Sequence, residues 1–99
     1  RAPACYNKPM DNEPGQLHER VEVLATYGLA PGQQCVPRRF KRANGQTITI
    51  TELGLRHPTA RGTRTVHVFD VTDGASEYRL EFDSERLTWW LTREAMYGQ

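Results

Sequence analysis

Between residues 36 and 92 apolar side chains recur at every second position, and this two-residue period narrows the choice of fold more than anything else in the chain. Over Glu77–Asp83, Tyr78, Leu80 and Phe82 alternate with Glu77, Arg79, Glu81 and Asp83. Over Thr47–Leu53, Ile48 and Ile50 alternate with Thr47, Thr49 and Thr51; over 87–92, Leu87, Trp89 and Leu91 alternate with Thr88, Trp90 and Thr92. Successive strand side chains point to opposite faces, so each run turns one apolar face to a core and one polar face to water. The β-branched and aromatic residues that fill these runs suit a pleated surface.

Turn chemistry separates the runs. Asn44-Gly45 and Asp73-Gly74 are hairpin dipeptides, with Asn44-Gly45 favouring a type I′ turn, and Asp83-Ser84-Glu85 reverses the chain a third time. Val36–Lys41 reads as a short strand whose Pro37, lacking an N–H, belongs at a sheet edge or a strand start. Arg64–Thr72 is apolar on both faces through Val66, Val68, Phe69 and Val71, as a central strand would be. Gly54, Pro58 and Gly62 make 54–63 a loop. In 17–27, Leu17, Val21 and Leu24 stand at helical spacing while Val21, Val23, Ala25 and Tyr27 alternate; the alternation favours a strand over 20–27.

These readings predict a mainly β protein of about six strands: an antiparallel sheet forming a partly open barrel or a small two-layer sheet. Residues 1–16, with Pro3, Pro9, Pro14 and Gly15, read as a flexible arm, 17–93 as a single β domain and 94–99 as a polar tail. The expected core is Phe40, Ile48, Ile50, Val68, Tyr78, Leu80, Phe82, Leu87, Trp89 and Leu91.

Little in the sequence points to catalysis. There is no phosphate-binding loop, dinucleotide glycine motif or nucleophile elbow. His18, His57 and His67 stand apart from Cys5 and Cys35, and no pair of these has the close spacing of a zinc module. No catalytic residue, metal or cofactor is therefore expected. The two isolated cysteines read as free thiols of a reducing, cytoplasmic setting, the alternative being one Cys5–Cys35 bridge that pins the arm to the body. No apolar run approaches the ~20 residues of a membrane-spanning helix, so a membrane partner is not expected.

Charge is distributed unevenly beneath a net +1. Residues 36–64 carry seven cations (Arg38, Arg39, Lys41, Arg42, Arg56, Arg61 and Arg64) against Glu52 alone, whereas 65–99 carry three cations against seven acids. Such a cluster attracts phosphate backbones, and an outward Trp90 would offer a base a stacking face.

The order Pro37-Arg38-Arg39-Phe40, Gly45, Ile48/Ile50, Phe69-Asp70-Val71, Tyr78-Arg79-Leu80 and Trp90-Leu91 resembles a pattern of small uncharacterised prokaryotic β domains over roughly residues 20–92. The resemblance implies a fold and no activity; some such domains accompany DNA-repair polymerases. The expectation is a non-enzymatic protein-interaction or regulatory accessory domain. It would bind a protein partner, or itself, through an outward patch of Leu24, Phe40 and Trp90. The alternative is a nucleic-acid-binding β module using the basic 38–64 region.

Overall fold

The alternating runs form strands in the computed structural model, the 47–53 run split in two; it describes residues 16–61 and 64–96, with the backbone alone for His57, Arg61 and Arg64. Seven strands form: β1 Gln16–Thr26, β2 Val36–Lys41, β3 Thr47–Thr49, β4 Glu52–Arg61, β5 Arg64–Thr72, β6 Ser76–Asp83 and β7 Thr88–Met96. The described residues contain no helix. One sheet holds all seven strands in the order β3-β2-β1-β7-β6-β5-β4, and every pairing is antiparallel. Two meanders, β1–β3 and β4–β7, thus share one sheet through the β1–β7 pairing.

The sheet curls into an open half-barrel with its core on the concave side. Phe40 on β2 meets Tyr78 on β6 edge to face, with ring centroids 5.2 Å apart, although β1 and β7 separate those strands. Phe69 on β5 likewise reaches Trp89 on β7 at 5.4 Å. Curling brings together Val21, Phe40, Ile48, Phe69, Val71, Tyr78, Leu80, Trp89 and Leu91, so nearly every strand contributes to one apolar cluster. Ile50 and Phe82 pack against that cluster half-buried.

The two ends of the sheet meet between β3 and β4. Ile50 N–H donates to the Arg38 carbonyl at 2.9 Å, and Thr51 N–H donates to the Thr72 carbonyl at 2.9 Å. Consecutive amides of an extended chain point in opposite directions, so these two residues bridge β2 and β5. The predicted 47–53 strand is therefore two strands serving opposite ends of the sheet.

Other differences have local causes. Residues 54–61, read as loop, belong to β4. Pro58 is tolerated because β4 is an edge strand, where a missing donor breaks no ladder bond. Gly54 sits where the β4–β5 register shifts, and a Cβ there would lie 3.1 Å from the Asp70 carbonyl oxygen. β1 begins at Gln16, ahead of the predicted 20, and β7 continues to Met96, which pairs with Ser76. β2 lies between β1 and β3 and is not an edge; Pro37 stands near its start, at a register shift opposite Ala25. The predicted arm lies, apart from Gln16, outside the described residues.

The turns fall where the dipeptides put them. In the β2–β3 turn, Gly45 N–H donates to the Arg42 carbonyl and Arg42 N–H to the Gln46 carbonyl, with Gly45 at φ +92°. This is a three-residue loop ending in a left-handed glycine rather than a type I′ pair, because Asn44 keeps negative φ. Gly74 turns at φ +98°, and the Asp73 carboxylate accepts hydrogen bonds from the amides of Ala75 and Ser76. Asp83, expected outward, is buried because its carboxylate caps the next turn through the amides of Glu85 and Arg86. Leu87 closes that turn at φ +59° and is 74% exposed, so it is not a core residue: the left-handed conformation aims its side chain into water.

Two stability outcomes follow. Leu80→Ala, at a site with 0% exposure, should lower the urea-unfolding free energy by ~2–5 kcal/mol. Leu87→Gly should raise it by about 1 kcal/mol, since a left-handed non-glycine residue costs that much and little apolar burial is lost.

Candidate functional site

The seven basic residues of 38–64 occupy separate places. Arg39 and Lys41 are exposed on the convex face of β2, opposite Leu24 and Glu22 of β1. Arg38, also exposed, donates through Nε to Thr26 Oγ1 at 3.1 Å. Arg61 and Arg64 face each other in register at the tip of the β4–β5 hairpin. Arg56 points from β4 to the concave side, beside Cys35.

Arg42 turns inward instead. Its guanidinium forms a fork with Glu19, through Nη2 to Oε1 at 2.8 Å and Nε to Oε2 at 3.3 Å, and its Nη1 reaches Glu94 Oε1 at 3.0 Å. Glu19 Oε2 also accepts the Ala43 amide at 3.0 Å. The Arg42 fork and this amide hold the Glu19 carboxyl below the usual carboxylate range, and the two acids raise the affinity of Arg42 for its proton. The triad ties β1, β7 and the β2–β3 hairpin together.

Trp90 faces outward from β7, as expected, but is half-buried by its neighbours. His18 stacks on it with ring centroids 4.3 Å apart and planes within 6°. The Arg20 guanidinium carbon stands 6.0 Å from the indole centroid, and the indole N–H donates to Thr88 Oγ1. The predicted patch of Leu24, Phe40 and Trp90 does not form: Phe40 is 1% exposed and lies on the concave side.

A cleft of about 510 Å³ opens where the sheet edges part beyond Thr51. One wall is edge strand β4, with Arg56 and Pro58; the other is the approach to β2, with Tyr27, Gln34 and Cys35. The floor is His67 and Phe69 from β5 and Phe82 from β6. Register explains the shared face: Arg56 is opposite Phe69 and Pro58 opposite His67, so all four point to the concave side. Burial pushes the pKa of the Cys35 thiol upward, against the opposing influence of Tyr27 and Arg56. Thiolate nucleophilicity is thereby suppressed.

Sequence reasoning singled out Arg56 but missed the cleft's other walls. Tyr27 read as a strand end and Pro58 as loop punctuation, and their meeting depends on the curl of the sheet. Among the described residues no group of three or more histidine, cysteine or acidic side chains converges as a metal site would. Among the described residues no helix is long and apolar enough to cross a membrane.

The triad sets a pH dependence. Glu19 has a lower pKa folded than unfolded, so its contribution is present above the ordinary carboxylate pKa and fades as pH falls through the folded value. Glu19→Gln should remove that part of the acid sensitivity. In urea unfolding across the acidic range, the stability gap between the two proteins should narrow as pH drops; a constant gap would exclude the linkage. No family model, curated protein or solved structure matches this chain.

Proposed function

We propose that this domain is a non-enzymatic protein-interaction module that receives an extended segment of a partner along β4, with an apolar side chain of that segment in the adjoining cleft. One observation carries the reading: a ten-residue edge strand runs beside an open, largely apolar cleft. An edge strand offers a row of backbone donors and acceptors to a further strand. Strand addition obtains affinity from those main-chain bonds and specificity from pockets that take alternate side chains. Pro58 removes one donor from β4 and so limits indiscriminate edge pairing. Phe69 and Phe82 supply an apolar floor, while Tyr27 and Gln34 add polar groups at the rim.

Nucleic acid is supported less well. Arg42 is engaged by two carboxylates, and His18 and Arg20 already attend Trp90. The thiol of Cys35, unbridged among the described residues, supports placing the domain in a reducing setting such as the cytoplasm.

Selection from a library of random short peptides tests the reading. Selected peptides, titrated into the isotope-labelled domain, should shift the amides of Leu55, Arg56, His57 and Thr59 and those of Gln34 and Cys35. Tyr27→Ala, at a 68% exposed position, should weaken them at least about fivefold, as truncation of an interface anchor does. Peptide shifts confined to the convex face, or an oligonucleotide shifting Arg20, Lys41 and Gly45 at low salt, would contradict it.

A further inference from the structure

We infer that the segment taken up along β4 carries an apolar residue followed two positions later by an acidic one. The inference rests on the protein-interaction reading and adds the chemistry of the partner. It comes from the charge of the cleft. Its walls contain one permanent cation, Arg56, and no aspartate or glutamate. Among the described residues no carboxylate pairs with Arg56, whereas Arg42 holds two and Arg79 one. A cation beside an apolar surface and without a counter-ion attracts an anion presented next to an apolar group.

Spacing and order follow from strand geometry. Arg56 and Pro58 are two residues apart and face the cleft together. A strand paired with β4 places opposite them two of its own residues, also two apart and on the same side. The residue opposite Pro58 continues the cross-strand row of Pro58, His67 and Phe82 and is apolar; the residue opposite Arg56 is acidic. Every strand pair in this sheet is antiparallel. An added strand that continues the pattern meets Pro58 before Arg56, so the apolar residue comes first.

Blocked heptapeptides of threonine, with Leu or Thr at the third position and Glu, Gln or Lys at the fifth, together with one carrying Glu third and Leu fifth, supply the test. Each is titrated into the intact labelled chain while the β4 amides are followed. On the natural protein the Leu/Glu peptide should bind roughly two- to fivefold more tightly than Leu/Gln, the range of a cross-strand charge pair. Arg56→Glu should invert the preference, so that Leu/Lys binds best; a merely structural arginine would not produce inversion. Equal binding of Leu/Glu and Leu/Gln with clear β4 shifts would overturn the acidic partner and leave the docking reading standing. Tighter binding of the peptide with Glu third and Leu fifth would overturn the antiparallel order. No β4 shift with any peptide would remove the docking reading and this inference together.

Discussion

Two adjacent backbone hydrogen bonds, from Ile50 to Arg38 and from Thr51 to Thr72, decide the shape of this protein. One extends the β3–β2 ladder and the other the β4–β5 ladder from adjacent residues, so the two ends of the sheet are held side by side and the sheet cannot lie flat. Curl follows, and with it the burial that stabilises the domain. Phe40 reaches Tyr78 across two intervening strands only because the ends are drawn together. Barrels abolish edges by full closure; this sheet closes over two residues and parts again. The parting leaves β4 as an edge and creates the cleft between it and the approach to β2.

Polar groups fix the curl in place. Arg42, Glu19 and Glu94 link the β2–β3 hairpin to β1 and β7, while Asp73 and Asp83 cap their turns with paired amide bonds. These side chains spend their charge on the fold. Arg56 does not, and that contrast gives the cleft its chemical character. The cations of 36–64 thus serve different ends: Arg42 holds strands together, Arg56 faces the cleft, and Arg39 and Lys41 lie exposed on the convex face.

Much of the fold was legible because alternation and turn residues are local. Tyr78, Leu80, Trp89 and Leu91 could be assigned to the core from period alone, and Gly45 and Gly74 to turns from their neighbours. Where a residue's role depends on strand order, the sequence was silent or misleading. Pro58 looked like a strand breaker, yet it is compatible with a strand that has no neighbour on one side. Leu87 fitted the alternation, but the turn capped by Asp83 required a left-handed residue at that point. The cleft was the least legible part, since its walls come from residues about thirty positions apart that meet only after the sheet curls.

Direct observation of the closing bonds tests this account most sharply. Scalar couplings across hydrogen bonds, measured on the labelled protein, should connect the Ile50 amide nitrogen to the Arg38 carbonyl carbon and the Thr51 nitrogen to the Thr72 carbonyl carbon. Both couplings together mean that one short stretch of chain joins the two ends of the sheet. If either pair shows no coupling while couplings within the β5–β6 ladder are clear, the sheet is not closed there, and the half-barrel and its cleft would have to be abandoned.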